Sequence, residues 1–195
     1  MNPFLAPINA YLSRARDVLT QVNTEEMAAI AALLKQAYVE QRTIFVMGNG
    51  GSGATASHMA CDLNKGACLQ AEKKFRVMAL TDNMATILAL GNDLNYDSIF
   101  VEQLKNFAQP GDVVIGISGS GNSRNVLRAI EYANTLGCET VAWCGYDGGK
   151  LKSLAKHVFH VRVNDMQLVE DLHMMLVHIL MQVLYAGPNS CCNCK

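Results

Sequence analysis

His58 and Asp62 stand four residues apart in a proline-free stretch, so on a helix their side chains share one face, about 6 Å apart along the axis. An imidazole and a carboxylate so placed can chelate a metal ion or divide acid and base duties. By spacing alone, a solvated pair with neither role is the commoner arrangement. Glu170, His173 and His178 fall in a second helical stretch, where Met174, Met175, Leu176 and Val177 give His173 the surroundings of a core histidine. Glu170 and His178 are eight residues apart, about 12 Å of regular helix. They could share one ion only if Glu170 lay in an irregular first turn or if subunits contributed separately.

Two glycine- and serine-rich turns accompany these groups. In Val46-Met-Gly-Asn-Gly-Gly-Ser-Gly-Ala-Thr-Ala-Ser-His58 an apolar β run breaks into a turn, Asn49, Gly50, Gly51 and Ser52, and passes directly into a helix. Glycines let backbone N–H groups approach a ligand closely, and the helix start adds unpaired donors and a positive dipole end. Ser118-Gly119-Ser120-Gly-Asn-Ser123 repeats this chemistry after another β run, with three hydroxyl donors and Ser123 at the expected N-cap. One such turn is more often a cap than a site, but two suit a phosphate monoester gripped from two sides. Gly48 to Gly53 formally fits the dinucleotide pattern GxGxxG. The next β run, however, ends at Thr81-Asp82, late for the ribose-binding acid, and no Lys-Ser or Lys-Thr follows to make a nucleotide P-loop. No nucleotide cofactor is expected.

The elements that must position these residues are legible in the hydrophobic pattern. Across residues 4–22, Leu5, Ile8, Leu12, Ala15, Val18 and Leu19 have helical spacing, and Asn23 with Glu26 forms a capping signal for a second helix to about Gln41. Continuous apolar runs at Ile44 to Met47, Phe75 to Leu80, Val113 to Ile117, Thr140 to Trp143 and Val158 to Val163 read as strands buried on both faces of a parallel sheet. Helical stretches separate them at about 54–64, 84–91, 97–107, 123–136 and 149–155, and a last helix runs from near Asp165 to about Tyr185. The expectation is an α/β chain, a three-layer α/β/α sandwich with a five-stranded parallel sheet and ligands at the carboxyl ends of its strands. Two leading helices exceed what that sheet needs as cover, so at least one is expected to pack on another subunit.

Composition narrows the partners. Half of the 195 residues are hydrophobic, and 16 basic against 17 acidic side chains give a net charge of −1, which favours neither nucleic acid nor an acidic membrane. No apolar run approaches the roughly 18–20 residues of a membrane span and the N-terminus lacks signal-peptide order, so a cytoplasmic protein is expected. Of seven cysteines, Cys61, Cys68, Cys138 and Cys144 read as reduced core residues. Cys191, Cys192 and Cys194 crowd a tail at 189–195, expected to be flexible, with no fourth ligand and no assignable role.

Asn49-Gly-Gly-Ser52, Ala79-Leu-Thr-Asp-Asn83, Gly91-Asn92-Asp93, Ser118 to Ser123, Gly145-Tyr-Asp-Gly-Gly149 and Leu172-His-Met-Met-Leu-Val-His178 together resemble the sugar isomerase (SIS) domain family, and within it the phosphoheptose isomerases. The resemblance spans nearly the whole chain. It implies the SIS fold over 1–188 as one domain, with 1–41 in the interface of a homotetramer and active sites at subunit boundaries. It implies interconversion of sedoheptulose 7-phosphate and D-glycero-D-manno-heptose 7-phosphate for surface polysaccharide, with a zinc ion in each site. By the same resemblance Asn49 to Ser52, Asn92, Asp93, Ser118, Gly119, Ser120 and Ser123 hold the phosphosugar. His58, Asp62, Glu170 and His178 bind the metal, with Asp62 or Glu170 as base and His178 as acid. Asp62 stands where the family has glutamate, retracting the carboxylate by about 1.5 Å, and Glu170 stands where it has glutamine. Those departures keep a second reading open, a non-catalytic phosphosugar-binding relative that acts on a protein such as the replication initiator.

Overall fold

The computed structural model describes residues 2–185, and Cys191, Cys192 and Cys194 lie outside them. Helices α1 (Leu5–Leu19) and α2 (Thr24–Glu40) precede β1 (Ile44–Gly48), α3 (Gly51–Cys61), β2 (Val77–Ala79), α4 (Met84–Asp93), α5 (Val101–Phe107), β3 (Val113–Ser118), α6 (Arg124–Leu136), β4 (Glu139–Cys144), α7 (Gly149–Leu154), β5 (His157–His160) and α8 (Met166–Val183). The strands form one parallel sheet in the order β2-β1-β3-β4-β5. This is the expected α/β sandwich. The chain leaves β1 for one edge and returns to β3 on its other side, so the order reverses between β1 and β3 and a crevice opens at their carboxyl ends. The two glycine- and serine-rich turns follow those two strands.

Alternation along each strand sorts the core into two layers. Ile44, Val46, Val113, Ile115 and Ile117 face one layer with Ile30 and Leu34 of α2, Met59 of α3 and Leu172, Leu176 and Leu180 of α8. Phe45, Met47 and Val114 face the other with Leu104 of α5, Val126 and Ile130 of α6 and Leu151 of α7. Asn23 caps α2 as expected, its side chain accepting from Glu25 and Glu26 N–H, and Asp165 caps α8 through Leu168 N–H.

Several boundaries and one burial differ from the sequence pattern. β2 and β5 are edge strands shorter than their apolar runs, because only the residues that pair with a neighbour hold strand geometry. α1 stops at Leu19, the stretch expected at 97–107 divides into a 3-10 turn at Tyr96–Ser98 and α5 from Val101, and α3 gives way at Asp62 to a π-helical turn, Asp62–Gly66. Cys68, Cys138 and Cys144 are buried, but Cys61 is exposed at the end of α3, on its outer side beside the β2 edge. No helix among the described residues is long and apolar enough to cross a membrane.

His173 is fully buried between Trp143 and Phe159, with ring centroids 6.0 Å from each, and its ring nitrogens make no hydrogen bond of ordinary geometry. Burial pushes its pKa from 6.5 down to about 4, with the Cys144 backbone opposing only weakly. The unfolded chain therefore binds more protons than the folded chain between those values, and stability falls as pH drops through that window. The loss amounts to roughly 3 kcal/mol. His173→Leu should flatten the dependence of urea-unfolding stability on pH between 6.5 and 4, a change read directly from denaturation midpoints.

Candidate active site

Gly50, at φ +54°, turns the chain out of β1 in a conformation that side chains avoid, and α3 begins at the next residue. Ser52 is buried against Gly48, where a Cβ would lie 2.7 Å from its atoms. The side chain of Asn49 does not project freely into the crevice. Its amide nitrogen donates to Asn125 Oδ1 (2.9 Å), while its oxygen accepts from Asn125 Nδ2 (2.8 Å) and from the Tyr96 hydroxyl (2.8 Å). Asn125 lies in the first turn of α6, so this paired amide fixes the turn after β1 to the turn after β3.

The second turn closes through a Gly121 N–H bond to the Ser118 carbonyl. Ser123 is the N-cap of α6 by position, yet its hydroxyl bonds Ser118 Oγ at 2.9 Å instead of the helix. Ser120 is exposed. The segment Gly145–Leu151 backs this turn: Gly145 N–H donates to the Gly119 carbonyl and Leu151 N–H to the Gly121 carbonyl. Backbone meets backbone there, with no space for a side chain. Asn92 and Asp93 close α4, exposed and hydrogen-bonded to each other at 2.9 Å.

α3 and α8 lie side by side and lead away from the crevice together. At their starts Glu170 presses on Gly51, where an added Cβ would lie 2.4 Å from a carboxylate oxygen. About two turns further on, His58 Nε2 meets His178 Nε2 at 3.1 Å and Asp62 Oδ2 at 3.3 Å. His58, Asp62 and His178 can bring one ligand atom each within 4.8 Å of one another, the one such metal-competent group among the described residues. Glu170 is not part of it. The expected four-member ligand set therefore divides into two stations, because two helices running abreast cannot fold eight residues of separation into one point.

Two imidazole nitrogens and a carboxylate oxygen are a donor set that zinc accepts. Nitrogens on a tetrahedral ion, each about 2.0–2.1 Å from it, lie little more than 3 Å apart, as these do. The residues therefore fit a metal.

Sequence reasoning missed Asn125 and Tyr96, which tie the turns together. It also missed Ser57, whose hydroxyl bonds Asp82 (2.5 Å) and Thr81 (3.1 Å) between α3 and the end of β2. A polar residue in the first turn of the helix after a serine-rich turn was the one available signal, and it pointed to Asn125 alone.

The fold and this site define a SIS domain protein: a family model described as the SIS domain matches residues 10–145. Phosphoheptose isomerases of Geobacter sp. (strain M21) and Citrifermentans bemidjiense are 38% and 37% identical over 179 residues, each match covering 90% of this chain and 93% of the relative. A solved structure of the phosphoheptose isomerase from Neisseria gonorrhoeae superposes with a TM-score of 0.86 at 27% identity, over 93% of this chain and 98% of that one. The chain belongs to the phosphoheptose isomerase family.

The backing of the second turn is open to test. Gly121 has φ +65°, and a Cβ there would lie 2.0 Å from the Gly148 carbonyl oxygen, whereas one at Gly91 in α4 would meet nothing. Gly121→Ala should destabilise by at least about 2 kcal/mol and abolish phosphosugar binding by calorimetry. Gly91→Ala should stabilise by roughly 0.5–1 kcal/mol.

Proposed function

We propose that the chain is an aldose-ketose isomerase that converts sedoheptulose 7-phosphate to D-glycero-D-manno-heptose 7-phosphate, in the cytoplasm, for surface polysaccharide. The observation that carries this reading is the meeting of His58, Asp62 and His178 on the helices that lead from the two glycine- and serine-rich turns in a chain of this family. The reading gives the phosphate to the hydroxyls of Ser118, Ser120 and Ser123 and the start of α6. Sugar hydroxyls fall to Asn49 to Ser52 and Glu170, with Asn92 and Asp93 at the rim.

The chemistry is a proton shift between neighbouring carbons. Asp62 takes a proton from C1, the C–H electron pair forms the C1–C2 double bond, and the carbonyl pair moves onto O2, which takes a proton from His178. The resulting enediol collapses in the opposite sense: O1 gives its proton to His178, C1 becomes the aldehyde, and C2 takes the proton that Asp62 held, so both side chains return to their starting states. Asp62 is preferred to Glu170 as base because it shares a station with the acid, so both reach the same two carbons. When zinc is bound, His58, Asp62 and His178 would hold it, and the ion would supply Lewis acidity toward the sugar oxygens in place of the His178 proton.

The reading includes a homotetramer formed through residues 1–41, with active sites at subunit boundaries and one domain over 1–188. Support comes from α1, none of whose residues is buried within the chain and which exposes Leu5, Ile8 and Leu12 at helical spacing. Such a stripe is stable in water when a partner covers it.

Metal-replete protein incubated with sedoheptulose 7-phosphate should yield the aldose phosphate; absence of that product would sink the proposal. Asp62→Asn and His178→Gln should each lower kcat by about 10²-fold or more with little change in Tm, since both side chains are partly exposed. Ultracentrifugation should give a tetramer for the native chain and a smaller species for Ile8→Glu combined with Leu12→Glu.

A further inference from the structure

The helix that carries His58 does not end as an α-helix. From Asp62 to Gly66 the chain winds as a π-helix, and Ala67 N–H reaches back five residues to the Asp62 carbonyl at 2.8 Å. A π turn is less stable than the α turn it replaces and persists where surrounding contacts hold it. Asp62 is the junction residue. Its N–H still points to His58 and Met59 carbonyls in the α pattern, while its carbonyl already serves the wider ladder.

The contacts that hold this turn are specific. Asn64 lies two residues past Asp62, roughly on the opposite side of the helix, and its side chain bonds both backbone groups of Val77: Nδ2 donates to the carbonyl at 2.8 Å and Oδ1 accepts from the N–H at 3.0 Å. Val77 belongs to the edge strand β2. The neighbouring Arg76 carbonyl is taken by Ile44 of β1, so the groups of Val77 point away from the sheet. The Asn64 amide thus acts as a one-residue strand that completes the ladder at its open edge. The Cys68 thiol donates to the Leu63 and Asn64 carbonyls at 3.2 and 3.3 Å. On the other flank Gly66 fits against Met181 of α8, where a Cβ would lie 2.9 Å from the methionine methyl. The turn is therefore gripped between the sheet edge and the helix that bears His178.

We propose that Asn64 is a positioning residue for the isomerisation: by pinning the π-helical turn to Val77 it sets the direction in which Asp62 presents its carboxylate to His58 and His178. Aspartate has a single methylene between backbone and carboxylate, so its reach follows the backbone directly. Release of Asn64 lets the turn relax toward α geometry, in which the Asp62 carbonyl exchanges the Ala67 N–H for that of Gly66. The carboxylate then swings with the peptide plane. A displacement near 1 Å at such a group costs about 10²-fold in rate.

This inference rests on the isomerase reading for its kinetic consequence but not for its geometric one. Two substitutions in the full chain separate the cases. Asn64→Leu keeps the volume and removes both bonds, whereas Asn64→Asp keeps an acceptor for Val77 N–H and loses the donor. The ring 15N shifts of His58 and His178 report the Asp62 contact without turnover, and they should move in Asn64→Leu and by less in Asn64→Asp. With sedoheptulose 7-phosphate, kcat should fall about 10- to 100-fold in Asn64→Leu, as for other residues that orient a ligating group, while KM changes less than about threefold. The loss should be smaller in Asn64→Asp, which also serves if the leucine variant does not fold. Native shifts or a native kcat in the variants, whatever their Tm, would overturn the proposal by reducing Asn64 to a cap on the sheet edge. A native chain that turns over no sugar would dismiss the isomerase reading alone, since the imidazole shifts still decide the role of Asn64.

Discussion

The constraint on which the rest of this structure depends is the reversal of strand order between β1 and β3. Parallel strands need helical crossovers, and where successive crossovers leave in opposite directions the polypeptide vacates the space above two adjacent strands. Both turns arise there, and because β1 and β3 are paired from Ile44↔Val113 to Gly48↔Ile117 the turns are held level. The Asn49–Asn125 amide pair then makes one rigid rim of two loops. Neither loop alone would be more than a cap.

From that rim the helices α3 and α8 carry polar groups outward in two stations. Packing of Met59, Leu172 and Leu176 into the same core layer fixes the helices against each other, so the meeting of His58 with His178 costs little further ordering. Preorganisation of this kind, in which apolar burial places polar groups before a ligand arrives, is what would make the proposed acid, base and metal site usable together.

Much of this was legible in the sequence. Continuous apolar runs gave β1, β3 and β4, and Asn23 with Glu26 gave the start of α2, because local patterning and capping decide those features. The edge strands were overestimated, since their limits depend on where a partner strand ends. The helical pattern over about 54–64 runs through Asp62 without a break, and nothing in it marks the π-helical turn at Asp62–Gly66, whose contacts with Val77 and Met181 come from elsewhere in the fold. The separation of Glu170 from His178 along α8 followed from helix rise, but its resolution into two stations required knowing that α3 runs alongside. Cys61 looked like its buried counterparts, and only the placement of the β2 edge shows why it is exposed.

The contact of Glu170 with Gly51 gives the crevice a polarity. A carboxylate already rests against the start of α3, so the partial positive charge of that helix end is spoken for, and a second anion entering there would meet repulsion. The start of α6 has serine hydroxyls before it in place of an acid. Of two helix termini that look equivalent in sequence, the start of α3 thus disfavours a second anion, and the start of α6 has no carboxylate pressed on it in this way. The crevice is therefore electrostatically lopsided, with its anion-favouring end on the α6 side.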